Sequence, residues 1–79
     1  MDVVLYAKGN CADSATAGRC LDALGVEFRL KRVDGDERAR REWEDLDGQV
    51  TPIVVIDQRQ IVRGLDQARL EQLIGWIGC

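Results

Sequence analysis

Two short segments made only of apolar residues place the strongest constraint on how this chain can fold. They are residues 3–6, Val-Val-Leu-Tyr, and residues 53–56, Ile-Val-Val-Ile. Successive side chains of a strand point to opposite faces of a sheet, so a strand that is apolar throughout is buried on both faces. Burial on both faces requires helices on both sides of the sheet. The two segments therefore predict an α/β protein with these strands at the centre of its sheet.

The stretch between the two apolar segments contains two helical patterns and one strand pattern. Helical spacing predicts a helix from Asn10, its expected N-cap, to Gly25. It predicts a second helix between the Asp-Gly-Asp turn at residues 34–36, which supplies an N-cap, and Asp47. Between these helices, residues 26–31 alternate apolar and charged side chains, which indicates a half-buried strand at a sheet edge.

The C-terminal third of the chain predicts a hairpin and a final helix. After the second apolar segment, a tight turn at residues 57–59 leads to a short strand at residues 60–62. Asp66 then caps the last helix. We expect the inner faces of the second and third helices to consist of their regularly spaced apolar residues, which are Ala39, Trp43, Leu46, Leu70, Leu73, Ile74 and Ile77.

The predicted order of elements is βαβαββα. The first strand, helix and second strand form a parallel, right-handed βαβ unit, and the last two strands form an antiparallel hairpin. Together they give a four-stranded mixed sheet flanked by helices, with the two solid apolar strands in the middle. A length of 79 residues corresponds to a single domain over residues 1–79.

Composition and charge exclude several classes of function. The 11 basic and 14 acidic residues are intermixed and give a net charge of −3, and no basic patch rich in aromatics is present, so nucleic-acid binding is not expected. No apolar run approaches the roughly 20 residues of a membrane helix. The N-terminus carries Asp2 and no basic region, which is unlike a secretory leader. We therefore expect a cytoplasmic protein.

Cys11 is the strongest candidate for a reactive residue. It follows the first apolar segment and the four residues 7–10, and it begins the first predicted helix. Backbone N–H groups without intrahelical partners and a partial positive charge at a helix N-terminus favour the thiolate. The chain contains no histidine, so the activation is expected to come from the backbone and from Lys8. Asp13 opposes it if its carboxylate approaches the sulfur, and a small buried cysteine is the alternative interpretation of Cys11.

The other two cysteines have different expected roles. Cys20 lies nine residues further along the same helix, about 13 Å away at 1.5 Å per residue, which is too far for a disulfide with Cys11. It falls on the apolar stripe and is expected to pack in the core. Cys79 is the terminal residue, with no assigned role. Irregular cysteine spacing without histidine argues against a metal site.

Three motifs, in this order and at these separations, resemble the glutaredoxin family and its thioredoxin-like fold. Residues 4–11, Val-Leu-Tyr-Ala-Lys-Gly-Asn-Cys, resemble the strand–turn–cysteine entry of the family. Residues 50–56, Val-Thr-Pro-Ile-Val-Val-Ile, resemble its cis-proline segment, and residues 63–66, Arg-Gly-Leu-Asp, resemble its entry to the last helix. The resemblance extends over nearly the whole chain. Ser14 stands where dithiol members have a second cysteine, which is similar to the small monothiol Cys-x-x-Ser type.

The resemblance implies a glutathione-dependent thiol–disulfide oxidoreductase. Cys11 would take a glutathionyl group from a mixed disulfide, and Ser14, unable to resolve it internally, would leave it for a second glutathione. Glutathione would be the cosubstrate, glutathionylated or disulfide-bearing proteins would be the partners, and the protein would be a monomer. Pro52 would be a cis-proline facing Cys11, and the backbone of Thr51 would pair with a bound cysteinyl peptide.

The resemblance also implies the remaining substrate-binding residues. The helix N-terminus at Gly64, Leu65 and Asp66 would receive the γ-glutamyl carboxylate, with Asp66 meeting the amino group. Lys8 would bind the glycine carboxylate of glutathione or stabilise the Cys11 thiolate. The sequence departs from the family at residues 12–13, where iron–sulfur members have Gly-Phe, and at Arg63, where a glycine is common. A non-catalytic binding module, sharing an iron–sulfur cluster with glutathione in a dimer, and an adaptor without redox activity are the alternatives.

Overall fold

The chain forms the predicted βαβαββα order of elements within residues 1–74, the part that the computed structural model describes. Four strands and three helices make up this part. In chain order they are β1 (Val3–Ala7), α1 (Ala12–Ala23), β2 (Arg29–Arg32), α2 (Glu37–Asp45), β3 (Ile53–Ile56), β4 (Gln60–Arg63) and α3 (Gln67–Ile74). None of the helices in this part is long and apolar enough to cross a membrane.

The four strands form one mixed sheet in the order β2-β1-β3-β4. Strand β2 runs parallel to β1, with Leu30 opposite Leu5. Strand β3 is antiparallel to both β1 and β4, with Val54 opposite Leu5 on one side. The two strands predicted from their solid apolar sequences are therefore the central pair, and β2 and β4 are the edges.

Strand β1 divides its side chains between two hydrophobic cores. Its odd-numbered residues pack in a core with α1, α3 and the facing side chains of β3 and β4. Val4 and Tyr6 point the other way, into a smaller core that includes Ile53 and is bordered by Trp43 and Leu46 of the α2 region. Helices α1 and α3 thus cover one face of the sheet, and α2 covers the other.

Polar contacts attach α2 to the sheet beside the second core. The Tyr6 hydroxyl donates to Glu42 Oε1 at 3.1 Å, and the Lys31 ammonium donates to the same oxygen at 2.6 Å. Burial, together with the neighbouring Glu42 carboxylate, raises the pKa of Tyr6 to about 12. These contacts fix the register of α2 on the sheet and hence the position of Trp43, the next residue along.

Most element boundaries match the sequence predictions, and two features differ. The turn at residues 34–36 supplies the N-cap of α2, as predicted, and the capping group is the Asp36 carboxylate, which accepts the backbone N–H groups of Arg38 and Ala39. Strand β2, however, begins at Arg29 and not at residue 26, and its Leu30 is 57% exposed instead of half-buried. The reason is that α1 packs over β1, so the outer part of the edge strand has no helix above it. Ile77 lies outside the described residues.

Leu21 and Leu30 offer a test of where the stabilising core lies. Leu21 is fully buried between α1 and the sheet, whereas Leu30 is exposed. We expect Leu21→Ala to lower the free energy of unfolding by about 2–5 kcal/mol, because it removes buried methyl groups and leaves a cavity. Leu30→Ala, the matched control, should lower it by about 0.5 kcal/mol or less. Urea denaturation of both variants measures the difference, and equal losses would contradict the assignment of the core.

Candidate functional site

Cys11 is the N-cap residue of α1, and its sulfur performs the capping. Its backbone is extended, with φ −104° and ψ 113°, and Sγ accepts the Ser14 backbone N–H at 3.4 Å. The sequence prediction that Asn10 caps this helix was wrong by one residue. The Cys11 N–H donates to the Lys8 carbonyl at 3.3 Å, so the turn closes on Cys11 and the helix begins after it.

The cis-proline segment faces the sulfur from the opposite side. The bond between Thr51 and Pro52 is cis, as predicted. Pro52 is fully buried, and the Cys11 thiol donates to the Thr51 carbonyl, with Sγ and O separated by 3.6 Å. The structure thus brings Cys11, Ser14, Thr51 and Pro52 together at one site.

The pKa of the Cys11 thiol is lowered from its ordinary value, as the sequence predicted. The largest cause is a hydrogen bond from the Ser14 side chain, followed by hydrogen bonds from the Thr51 side chain and the Ser14 backbone, while burial acts in the opposite direction. A group that hydrogen-bonds the charged form stabilises it, so the thiolate is favoured. The helix N-terminus therefore contributes through a specific N–H group and through a side chain of its first turn.

Lys8 does not take the predicted position beside the thiolate. Its ammonium lies 5.9 Å from the centre of the Trp43 ring, in cation–π geometry. The groups that lower the Cys11 pKa are the hydrogen-bond donors of Ser14, Thr51 and Asp13, the last through its backbone. The prediction that Lys8 activates the sulfur is therefore not supported, because the π-face of Trp43 attracts the ammonium instead.

Ser14 connects the helix to the turn that precedes it. The residue is only 3% exposed, and its hydroxyl accepts the Lys8 backbone N–H at 3.3 Å. The same side chain thus stabilises the thiolate and holds the turn of residues 8–10 in place. Cys11 and Cys20 are both free thiols, and Cys20 packs against the larger core, as predicted. Burial raises the pKa of Cys20, with a further contribution from Glu71. Cys79 lies outside the described residues.

The entry to α3 lies against the cis-proline. Gly64 has a φ of 77°, in the left-handed region that favours glycine, and its N–H donates to the Pro52 carbonyl at 2.8 Å. Asp66 caps α3, as predicted, by accepting the Arg69 backbone N–H at 2.9 Å. Leu65 is half-buried and packs against the larger core. The α3 N-terminus is therefore joined to the Thr51–Pro52 segment, and the ligand contacts assigned to these residues remain predictions.

Trp43 has a positioning role that the sequence analysis missed, because its helical spacing indicated only a core residue. Its indole N–H donates to the Val50 carbonyl at 2.9 Å, which anchors the segment leading to Thr51. Gly48 allows this contact, since a Cβ there would lie 2.5 Å from the Trp43 ring. The sequence signal that could have revealed this contact was a glycine, Gly48, shortly after a helix that contains a tryptophan.

Asp34 is a second residue whose contribution the sequence did not reveal. One of its carboxylate oxygens accepts the Gly9 backbone N–H at 2.9 Å, and both oxygens accept donors of Arg32. The Arg32 guanidinium, and then the Gly9 N–H, lower the pKa of Asp34 to about 2. The carboxylate is therefore charged throughout the neutral range and fastens the turn before Cys11 to the loop after β2.

No cluster of histidine, cysteine or carboxylate side chains within residues 1–74 is arranged to hold a metal ion. The arrangement instead supplies a thiol with a lowered pKa, a backbone carbonyl opposite it, and a helix N-terminus nearby. These are the parts of a thiol–disulfide exchange site on a thioredoxin-like fold.

Comparisons with known proteins agree with this class. The family model described as glutaredoxin matches residues 3–61, and the chain belongs to the glutaredoxin family. No curated protein matches. Among solved structures, the thioredoxin-like protein BC3987 is 30% identical, with a TM-score of 0.83 over 91% of this chain and 99% of that one.

Two more distant structures share the fold. The glutaredoxin from Archaeoglobus fulgidus is 23% identical, with a TM-score of 0.78 over 92% of this chain and 85% of that one. NrdH-redoxin from Escherichia coli is 18% identical, with a TM-score of 0.83 over 92% of this chain and 95% of that one.

The hydrogen bonds to the sulfur predict the effect of removing the Ser14 hydroxyl. Ser14→Ala deletes the largest cause of the lowered Cys11 pKa, so the pKa should rise and the midpoint of the pH dependence of Cys11 alkylation should move to higher pH. Iodoacetamide labelling, followed by peptide mapping of Cys11, measures the midpoint. Thr16→Ala is the control, because its hydroxyl on the same helix bonds the Ala12 carbonyl and not the sulfur. An unchanged midpoint in Ser14→Ala would refute this account of the activation.

Proposed function

We propose that this protein is a thiol–disulfide oxidoreductase that exchanges glutathione mixed disulfides by a monothiol mechanism through Cys11. The observation that carries the proposal is the hydrogen-bonded Cys11 sulfur at the N-terminus of α1, with a serine where a second thiol would stand. Cys20 is nine residues away on the same helix, too distant to resolve a mixed disulfide formed at Cys11.

In the first step the Cys11 thiolate attacks the glutathione sulfur of a glutathionylated substrate. A bond forms between Cys11 Sγ and that sulfur, the substrate–glutathione disulfide breaks, and the substrate thiolate leaves and takes a proton from solvent. In the resting state, hydrogen bonds from Ser14 and Thr51 stabilise the attacking thiolate. The lowered pKa raises the fraction of Cys11 that is ready to react near neutral pH.

In the second step a glutathione thiolate attacks the glutathionyl sulfur carried by Cys11. This forms oxidised glutathione and releases the Cys11 thiolate, so that the net reaction converts a glutathionylated thiol and reduced glutathione into a free thiol and oxidised glutathione. Ser14 cannot perform this step, since its hydroxyl is not a nucleophile toward disulfides under these conditions. The turnover therefore depends on a second, external thiol.

For the binding of glutathione we propose the groove between Cys11 and the α3 N-terminus. The Thr51 backbone, beside Pro52, would pair with the cysteinyl unit, since the Thr51 carbonyl already lies 3.6 Å from the sulfur. The first turn of α3, after Gly64 and Leu65, would receive a carboxylate, and the Asp66 carboxylate would meet the amino group. A fold of this kind is found in a buckwheat glutaredoxin–glutathione complex, which is 17% identical, with a TM-score of 0.70.

Lys8 would supply a cation for the glycine carboxylate of glutathione in that groove. Its ammonium rests on the Trp43 ring, and a cation–π contact at an exposed site is worth only about 0.5–1 kcal/mol, so a carboxylate can compete for it. The proposed partners are glutathione and glutathionylated or disulfide-bearing proteins. We propose that the protein acts as a monomer in the cytoplasm, with glutathione as the reductant.

The proposal predicts a single site of glutathionylation. Exposure to oxidised glutathione should add a glutathionyl group at Cys11, because its thiol has the lowered pKa, whereas the pKa of Cys20 is raised. Intact mass with peptide mapping identifies the site, and Cys11→Ser should abolish both this adduct and deglutathionylation of a model substrate. Cys20→Ser, the matched control, should retain both. A Cys11–Cys20 bridge, or full activity in Cys11→Ser, would refute the proposal.

Restoring a second thiol should change the mechanism. In Ser14→Cys the introduced cysteine lies three residues from Cys11, and helix geometry places Cα atoms at this spacing about 5 Å apart, within the Cα range of a disulfide. We expect oxidation to close an internal disulfide and to shorten the lifetime of the glutathionyl adduct at least about tenfold. Intact mass after quenching at a series of times measures the lifetime. If the adduct persisted as in the wild type, Ser14 would not be what makes the site monothiol.

A further inference from the structure

An open apolar groove runs along the side of α1 that faces the edge strand β2. It is a cavity of about 230 Å³. Its floor is formed by Leu5 and Ala7 of β1, its helix wall by Ala15 and Gly18, and its outer wall by Phe28 and Leu30. The site proposed for glutathione, beside Pro52 and the α3 N-terminus, includes none of these six residues.

The groove exists because the helix wall is built from small residues. Gly18 presents no side chain, and a Cβ there would lie 3.7 Å from a Leu5 methyl and 3.9 Å from the Phe28 ring, which is ordinary contact. A glycine inside a helix costs about 1 kcal/mol relative to alanine, so the small residue does not serve the stability of α1. Leu30 is left 57% exposed on the opposite wall.

The groove is continuous with the candidate reactive site. Cys11 and Ser14 line one end of it, together with Lys8 and Gly9 of the preceding turn. Arg32 of β2, whose guanidinium pairs with Asp34, is the remaining lining residue. Gly18 lies seven residues beyond Cys11 on α1, which is about 10 Å along the helix. An extended peptide advances about 3.3 Å per residue, so a side chain two or three residues from a cysteine bound at Cys11 can reach the middle of the groove.

We propose that this groove, defined by Leu5, Ala7, Ala15, Gly18, Phe28 and Leu30, is a specificity subsite for a large aliphatic side chain near the reactive disulfide of a protein substrate. The proposal rests on the thiol–disulfide exchange function assigned to Cys11, and it concerns the case in which Cys11 attacks the protein sulfur of the disulfide instead of the glutathione sulfur. A leucine-sized side chain matches the apolar walls, whereas glutathione carries no apolar side chain to place there. The groove would thus favour protein disulfides with an apolar neighbour over glutathione disulfide.

The proposed preference for an aliphatic neighbour is measured with two peptides. Acetyl-Leu-Gly-Cys-Gly-Leu-amide and acetyl-Ser-Gly-Cys-Gly-Ser-amide are each prepared as a mixed disulfide with thionitrobenzoate. The Cys11 thiolate attacks the peptide sulfur, a Cys11–peptide disulfide forms, and the thionitrobenzoate anion leaves and is followed by its absorbance. The rate obtained with Cys11→Ser is subtracted to remove reaction at the other cysteines. We expect the leucine peptide to react roughly tenfold faster than the serine peptide.

Variants of the groove walls assign the preference to this surface. Leu30→Ser removes an exposed wall, and Gly18→Leu fills the groove from the helix side, so each should reduce the preference to about twofold or less. Ile61→Ser is the matched control, because Ile61 is a 37% exposed aliphatic residue on the other edge strand. It should leave the preference unchanged. All three variants should keep the wild-type rate with the serine peptide.

Three outcomes would overturn the inference, and they differ from a failure of the proposed function. Equal rates for the two peptides, with both rates dependent on Cys11, would refute the subsite alone. A preference retained in both Leu30→Ser and Gly18→Leu would place its origin elsewhere. Concentration-dependent self-association of the wild type that Leu30→Ser abolishes would assign the groove to a second copy of this chain. The absence of any Cys11-dependent reaction, with the peptides or with oxidised glutathione, would refute the proposed function itself.

Discussion

The burial of β1 on both faces is the constraint on which the rest of the described structure depends. Its alternate side chains enter two separate cores, so β1 pairs with β2 and β3 at its edges and supports helices above and below. The position of its C-terminal end is fixed by the same packing. Since the turn of residues 8–10 begins there, the rigidity of β1 is transmitted directly to Cys11, the first residue after the turn.

The activation of Cys11 depends on hydrogen bonds and not on a neighbouring cation. The donors are the Ser14 side chain and backbone and the Thr51 side chain, while the Lys8 ammonium lies over Trp43. Salt screens the attraction between exposed charges but has little effect on a short hydrogen bond. The reactivity of this thiol is therefore built into the local geometry of two segments, the first turn of α1 and the cis-proline segment, and both are held by contacts to the sheet.

The sequence could predict the features that neighbouring residues determine, but not the contacts between residues that lie far apart along the chain. The two apolar strands, the Asp36 and Asp66 caps and the position of Cys11 at a helix start are set by neighbouring residues, and all were predicted. The contacts of Asp34 with Gly9 and of Lys8 with Trp43 join residues 25 or more positions apart, so no local sequence pattern could predict them. The exposure of Leu30 was missed for a related reason, since it depends on where α1 crosses the sheet.

The use of Cys11 as a helix cap also sets the redox poise of the site. A thiolate sulfur accepts the Ser14 N–H more strongly than a neutral disulfide sulfur does, so the cap is best satisfied when Cys11 is reduced. Whatever stabilises the reduced form makes the oxidised form a better oxidant, because the two are linked by the same equilibrium. In the proposed reaction, a mixed disulfide at Cys11 would therefore be less stable than one at an ordinary cysteine, because its formation weakens the N-cap of α1.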